Sequence, residues 1–316
     1  MNKATAKFAC IGAWGYNESA PDHGLTVCHY DGDSGTFTPI DRILPYVRVG
    51  GVCRHPALPI LYCPDECTNS CKDGGGHIVA ILADAAGGAL TELNRLPSFG
   101  GAPSYCATDA GGTYLLVVNH AGNDSILKTR RIGQGAYKLC REYDEANIVL
   151  FPLAKDGRIE APCDIARLDG SGPRPSQVHA KPHCVMASPD GSIFLVCDYG
   201  ADRLYTVRID RNRRKLDMRG GRYYTCAPGD APRYAAFHPT EPFVFTNNED
   251  APYVYAFRYA DSGRLTFICK ELVAEPPAKA GESPLISDIR IHPNGQTLYN
   301  LSRAYNTVTV LGIGED

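Results

Sequence analysis

A unit of two short strands recurs at least five times in this chain, and each copy carries polar or charged residues at the same two points. The copies cover residues 51–66, 103–120, 183–199, 231–249 and 287–303. Within one copy, Ala231–Pro239 supplies the first strand and Phe243–Glu249 the second. Repetition of a supersecondary unit indicates an array in which neighbouring units bury a continuous core. The repeat therefore constrains the architecture before any catalytic motif is considered.

The segments of the repeat have the character of strands. Stretches such as Leu204–Ile209 and Thr307–Val310 are short, rich in β-branched and aromatic residues, and bounded by turn-forming residues. Pro-Asp-Gly at 189–191 and Pro-Asn-Gly at 293–295 indicate hairpin turns. No convincing helical period is seen. Successive units lie about 50 residues apart, as propeller blades do. We predict an all-β fold, a β-propeller of four-stranded antiparallel blades.

We predict a single domain over residues 1–316, interrupted by one insertion. Residues 123–147 lie between the second and third strands of a blade and are strongly charged. An extended surface hairpin is favoured here over a substrate lid. Five first strands are recognisable, and the chain reaches Asp316 within a sixth blade, so five to six blades are expected.

Composition excludes some classes of function. The formal net charge of -3 argues against broad nucleic-acid binding. We find no signal peptide and no apolar stretch of membrane-spanning length, which predicts a cytoplasmic protein with no membrane partner. The 13 cysteines are then expected to be reduced thiols. Cys63, Cys67 and Cys71 have no clear second pair, so a loop is favoured over a metal site, and no cofactor is predicted.

The topology of the repeat predicts a site. A hairpin returns its second strand to the edge where its first strand began, so the start of the first strand and the end of the second share one face. In a propeller these are inner strands, and the shared face is the mouth of the central channel. The argument places Arg233 with Glu249, His183 with Tyr199, and Asp288 with Arg303.

The residues that end the second strands are all polar or titratable. They are Glu66, His120, Tyr199, Glu249 and Arg303, preceded by Asp65, Asn119, Asp198, Asn248 and Ser302. Acids, bases and an arginine at converging positions favour a small-molecule site. For each residue alone the alternative stays open, because charged strand ends are often only solvated and a buried histidine is more often part of a core.

Several segments resemble the lactonase family of seven-bladed propellers, which includes propeller-type bacterial 6-phosphogluconolactonases and fungal carboxy-cis,cis-muconate cyclases. The carriers, spread over nearly the whole chain, are Phe8–Gly12, Gly172-Pro173, Pro182-His183, Ser188–Gly191, Ala231–Arg233, Phe237–Pro239, Asn248-Glu249, Ser287–Ile289 and Ser302-Arg303. A seven-bladed ring implies that about 50 to 70 residues, with the C-terminal blade, are missing. The open blade edge is then expected to favour self-association.

The resemblance implies a pocket at the channel mouth that uses a histidine, an arginine, a glutamate and a second arginine. These map onto His183, Arg233, Glu249 and Arg303, which we predict to be catalytic. The chain departs from the family at Lys181, where another histidine is frequent. A lysine keeps a positive charge but is no base at neutral pH unless its pKa is strongly depressed. This departure bears on the substrate more than on the fold.

The implied activity is hydrolysis of a sugar lactone such as 6-phosphogluconolactone. Glu249 or His183 would activate water, and the two arginines would bind a phosphate or stabilise the oxyanion. The predicted substrate-binding residues are Asp288, Lys181, His120, Tyr199 and Glu66. Two alternatives stay open: intramolecular lyase chemistry on a muconate-type diacid, and a propeller that binds partners without catalysis.

Overall fold

The computed structural model describes residues 7–15, 24–84, 88–218, 223–276 and 282–314. Within these ranges every regular element is a β-strand, and the strands form six antiparallel sheets and one separate hairpin. The predicted all-β class is confirmed. The same ranges contain no helix of the length and apolarity that crossing a membrane would require.

The first three sheets are meanders of consecutive strands. Sheet 1 contains β1 (Lys7–Ala13), β2 (Gly24–Asp31) and β3 (Thr36–Ile43); sheet 2 contains β4 (Cys53–Arg54), β5 (Ile60–Pro64), β6 (His77–Ala83) and β7 (Leu90–Pro97). Sheet 3 begins with β8 (Pro103–Thr108) and β9 (Tyr114–Asn119). After the hairpin of β10 (Ser125–Gly133) and β11 (Ala136–Tyr143), sheet 3 resumes with β12 (Asn147–Pro152) and β13 (Asp164–Arg167).

The other sheets repeat the plan. Sheet 4 contains β14 (Pro182–Ala187), β15 (Phe194–Asp198), β16 (Arg203–Asp210) and β17 (Lys215–Asp217), and β18 (Tyr223–Thr225) also pairs with β16. Sheet 5 contains β19 (Pro232–Phe237), β20 (Phe243–Asn248), β21 (Tyr253–Tyr259) and β22 (Leu265–Leu272). Sheet 6 contains β23 (Ile286–Ile291), β24 (Thr297–Ser302) and β25 (Thr307–Gly312). Among the described residues, sheets 1 and 6 have three strands each rather than the predicted four.

Buried apolar side chains fill the interfaces between successive sheets. Leu25 of sheet 1 packs in one cluster with Val79 of sheet 2, and Tyr62 of sheet 2 in another with Leu115 of sheet 3. A larger cluster joins sheets 3, 4 and 5, and a fourth joins sheets 5 and 6. Each sheet therefore packs face to face with the next in chain order, which is the propeller arrangement predicted from the repeat.

His-Pro pairs of the repeat fasten neighbouring sheets to each other. His238 Nε2 donates to the carbonyl of Gly295, 3.0 Å away, while its Nδ1 accepts from the backbone of Glu241. His55 makes the equivalent bond to Gly112 at 3.1 Å. Gly295 has φ +77°, and a Cβ there would lie 2.5 Å from the His238 ring. The turn therefore needs a glycine for both backbone conformation and space.

A bulge near the start of the first strand is repeated from sheet to sheet. In sheets 3, 4 and 5 the extra residue is Ser104, His183 and Arg233, immediately after the first paired residue. In sheet 2, the bridge between Val49 and Asp65 places Gly50 at the equivalent point. A bulge leaves one residue out of the ladder and re-aims its side chain. This feature turns a strand residue toward the mouth of the ring.

Candidate functional site

A cavity of about 520 Å³ lies at the channel mouth, where the predicted residues converge. Its walls include His120, Lys181, His183, Tyr199, Arg233 and Glu249. Glu66 and Arg303 do not line it but contact residues that do. Residues predicted from separate copies of the repeat thus meet at one place in the molecule, although the chemical role of each side chain stays a prediction.

Glu249 lies between two guanidinium groups. Its Oε2 is 2.6 Å from Arg233 Nε, and its Oε1 accepts a hydrogen bond of 2.6 Å from Arg303 Nη2. The contact with Arg233 is a close ion pair rather than an aligned hydrogen bond, since Nε does not direct its hydrogen at the oxygen. Each carboxylate oxygen of Glu249 therefore lies against a cation.

His183 is held neutral. Its ring stacks on His120 with centroids 5.8 Å apart and meets the edge of Tyr234 at 5.3 Å. Burial, reinforced by the charge of Arg233 and by His120, holds the pKa of His183 well below its usual value. Its Nδ1 is buried and has no hydrogen-bond partner. An imidazole that resists protonation is a weak general base at neutral pH.

His120 forms a histidine–carboxylate pair with Glu66. His120 Nε2 lies 3.1 Å from Glu66 Oε1, and both side chains are largely buried, with 23% and 16% exposed. Gly50 leaves the room for this carboxylate, because a Cβ at that position would lie 2.2 Å from Glu66 Oε2. A carboxylate on one ring nitrogen orients an imidazole and determines which of its nitrogens carries the hydrogen. Of the two histidines, His120 has the surroundings that a proton acceptor needs.

Lys181 is buried in the wall of the cavity, with only 7% exposed. Its Nζ donates to Asn123 Oδ1 at 2.5 Å and to the carbonyl of Ser176 at 2.7 Å. Burial lowers its pKa, and the nearby charge of Glu249 opposes that shift. Two of the three donors of an ammonium group are thereby used, and the third is available to an anionic ligand.

Tyr199 and Asp288 differ in their relation to the cavity. Tyr199 lines it and donates its hydroxyl to Asp250 at 3.3 Å, and burial raises its pKa. Asp288 pairs with Arg290 at 3.1 Å and does not line the cavity. Arg290 in turn approaches the hydroxyl of Tyr105. Asp288 was placed with Arg303 at the mouth by the topology of the repeat, and the arginine it pairs with is Arg290; its predicted role in substrate binding stays a prediction.

The residues that precede the ring positions maintain the fold. Asp198 Oδ1 accepts hydrogen bonds from the backbone of Lys181, Gly200 and Ala201 at 2.7 to 3.0 Å. Asn119 donates to the carbonyl of Ser98 and to an amide of sheet 3. Because side chains alternate between the two sides of a strand, these side chains point away from the mouth and form hydrogen bonds with backbone groups, and the next residue faces the mouth.

Sequence reasoning missed the contribution of the inserted segment to the cavity. Ser125, Arg141 and Tyr143, all from the β10–β11 hairpin, line it together with Asn123 and the loop of residues 175–178. The hairpin was predicted to be a surface feature, and most of its length is exposed. The only available signal was the position of the insertion directly after His120, a ring residue.

The cysteine segment shows no metal-binding arrangement. Cys63 is buried in the core, and Cys71 donates to the carbonyl of Gly76. Across the described part of the chain, no group of three or more His, Cys, Asp or Glu side chains is placed to hold a metal ion. The 13 cysteines are free thiols.

The fold and the cavity define a β-propeller with a polar cavity at its mouth. The model of the family described as "Lactonase, 7-bladed beta-propeller" matches residues 12–316, and the chain belongs to that family. The described residues form six of its sheets.

Known proteins similar to this chain carry the same fold and related names. The 6-phosphogluconolactonase of Bacillus subtilis is 25% identical over 244 residues, which is 77% of this chain and 62% of that protein. That of Serratia proteamaculans is 25% identical over 231 residues, 73% of this chain and 59% of that protein. The chain thus spans about three fifths of these relatives. A solved Bacteroides fragilis structure superposes with a TM-score of 0.79 at 24% identity, covering 100% of this chain and 80% of that one.

Proposed function

We propose that this protein hydrolyses a sugar lactone that carries an anionic group, such as 6-phosphogluconolactone. One observation supports the proposal: a histidine–carboxylate pair and the cations Lys181 and Arg233 converge on one cavity. A third cation, Arg303, contacts the cavity residue Glu249. The names of the relatives supply the class of reaction.

Water activation is assigned to His120. As water attacks the lactone carbonyl, the imidazole takes one of its protons, and Glu66, 3.1 Å away, stabilises the imidazolium that forms. When the ring C–O bond breaks, the imidazolium returns the proton to the leaving oxygen, and a hydroxy acid is released. His183 and Glu249, the bases expected from the resemblance, are less suited, since one is held neutral with a lowered pKa and the other is bound by two guanidinium groups.

Charge stabilisation is assigned to the cations. Negative charge develops on the carbonyl oxygen during the attack, and a fixed cation close to it lowers the barrier. Arg233 lies in the cavity wall with only 13% of its side chain exposed, so its field is weakly screened by solvent. Lys181 supplies a second fixed cation in the same wall. Arg233 therefore serves the reacting centre and Lys181 the anionic substituent.

The test is turnover of 6-phosphoglucono-δ-lactone by the purified protein, corrected for spontaneous hydrolysis. We expect His120→Gln to lower kcat about 100-fold or more, as loss of a general base does. His292→Gln, at an exposed turn position, is the matched control and should leave kcat unchanged. A wild-type rate equal to the spontaneous rate would refute the proposal, and full activity in His120→Gln would refute the assignment of the base.

A muconate-type cycloisomerase is the second candidate. Three cations, Arg141, Lys181 and Arg233, line the cavity, and several cations around one cavity also fit a dicarboxylate. In that reaction a substrate carboxylate oxygen adds to a double bond, and a protein acid protonates the adjacent carbon. Incubation of the protein with a carboxymuconate in parallel with the lactone distinguishes the two, because only one substrate should be consumed.

A further inference from the structure

One face of the β10–β11 hairpin continues the wall of the mouth cavity. Residues on a strand alternate between faces, and directly opposed residues share a face. The register pairs Ser125 with Tyr143, Leu127 with Arg141, and Thr129 with Leu139. Ser125, Tyr143 and Arg141 line the cavity, so Leu127 and Leu139 lie on the same face farther along the hairpin. We call this the cavity-side face.

Exposed apolar side chains are more numerous on the cavity-side face of the hairpin. This face carries Leu127, Leu139 and Tyr137, which are 61%, 64% and 67% exposed, together with Arg131 and Arg141. On the opposite face Glu142 makes ion pairs with Lys128 and Arg130, and Ile126 is the exposed large apolar residue. Exposed apolar groups gathered on one face mark a surface that becomes covered by a partner or ligand. Because this face continues the wall of the cavity, we expect a ligand rather than a partner to cover it.

The base of the hairpin is attached to the mouth of the ring. The Tyr143 ring lies 5.0 Å from that of His179, whose Nε2 is 2.9 Å from the carbonyl of Gly122. Lys181 donates to Asn123 just before β10 begins. These contacts fix the direction in which the cavity-side face leaves the cavity.

We propose that the cavity-side face binds an apolar group, an aryl ring or short alkyl chain, of a ligand whose neighbouring anionic group is held in the cavity. Two residues of extended strand span about 7 Å, so Leu127 lies one ring length beyond Ser125, and Leu139 lies within reach of a longer chain. Arg141, opposite Leu127, places a cation beside the apolar contact. A surface that continues a ligand cavity and carries a cation at its base fits a ligand with one charged and one apolar part.

The proposal takes the reacting group from the proposed function, but ligand binding tests it without turnover. The probes are inorganic phosphate and phenyl phosphate, titrated calorimetrically into the full chain. We expect phenyl phosphate to bind about tenfold more tightly than phosphate, a difference of about 1.4 kcal/mol. Leu127→Ser should abolish most of that preference and leave the phosphate affinity unchanged. Ile126→Ser, equally exposed at 59% but on the opposite face, is the matched control and should change neither affinity.

Several results would overturn the proposal. The first two are that neither probe binds and that both probes bind with equal affinity. The third is that Leu127→Ser and Ile126→Ser lose the preference for phenyl phosphate equally. The fourth is that Leu127→Ser changes the oligomeric state in sedimentation but keeps the preference for phenyl phosphate. The last result would make the face a protein interface. Failure of lactone hydrolysis with the phenyl preference intact would refute only the proposed function, whereas hydrolysis without the preference would refute only this assignment.

Discussion

A single methyl group added at Gly50 should show how much of kcat depends on the orientation of His120, because the imidazole itself is left unchanged. In Gly50→Ala the new Cβ would stand 2.2 Å from Glu66 Oε2, while ordinary contacts begin at 3.4 Å, so the carboxylate must move by the difference, 1.2 Å. The backbone carbonyl of Ser104, 3.0 Å away, limits movement of the methyl group itself. The side chain of Glu66 therefore has to give way.

The displacement is large enough to break the hydrogen bond to His120. That bond is 3.1 Å long, so a shift of 1.2 Å directed away from His120 takes the carboxylate beyond hydrogen-bonding distance. A hydrogen bond to a charged group contributes about 1.5 to 3 kcal/mol. If that contribution is made in the transition state, kcat falls about 10- to 150-fold. No proton-transferring atom has been removed, so the loss measures positioning alone.

The assay compares kcat for the lactone and the melting temperature of Gly50→Ala with those of Gly312→Ala. A Cβ at position 312 would meet nothing within 4 Å, so this substitution should leave kcat unchanged and raise the melting temperature slightly. Replacing glycine by alanine stabilises a fold by about 0.4 to 1 kcal/mol where the conformation permits it, which offsets only part of the lost bond in Gly50→Ala. The melting temperature of Gly50→Ala should therefore fall by a few degrees while kcat falls. Wild-type kcat in Gly50→Ala would refute the role of the Glu66–His120 pair.

Two further predictions concern the charges of the site. Glu249→Gln leaves the largely buried Arg233 without its anion and should lower the free energy of unfolding by about 2 to 3 kcal/mol. This is less than the full cost of breaking a buried pair, because the second partner, Arg303, is 44% exposed. An unchanged urea midpoint would contradict the prediction. The lowered pKa of His183 means that folding expels a proton from it. Its contribution to stability is therefore complete above the usual histidine pKa of about 6.5 and is lost as the pH falls below that value toward the lowered folded pKa. His183→Gln should flatten the decline in stability between pH 7 and 5 measured by urea unfolding, and parallel curves for the two proteins would show the inference to be wrong.

The repeat was sufficient to predict the propeller and the convergence of the strand ends. Alternation and turn residues are local signals, and the return of a hairpin to its starting edge is a matter of topology. These two facts place Glu66, His120, Tyr199 and Glu249 together without knowledge of any contact. The prediction succeeded because it needed only the order of strands and the period of two.

The division of labour among these residues was beyond the sequence. Asp288 pairs with Arg290, and no local pattern in the sequence distinguishes that partner from Arg303. Whether His120, His183 or Glu249 is free to take a proton depends on the contacts each side chain makes in the fold. The orientation of the hairpin depends on tertiary contacts such as that of Tyr143 with His179, and no local pattern encodes them.

The repeated bulge has a consequence for how this site can change over evolutionary time. Gly50, Ser104, His183 and Arg233 occupy the same irregular step in four sheets, and a residue at such a step is released from the ladder that holds its neighbours. Substitution there exchanges a functional group while the surrounding strands keep their pairing. At the two steps that line the cavity, positions 183 and 233, a new ligand preference can thus be acquired one codon at a time without a new scaffold.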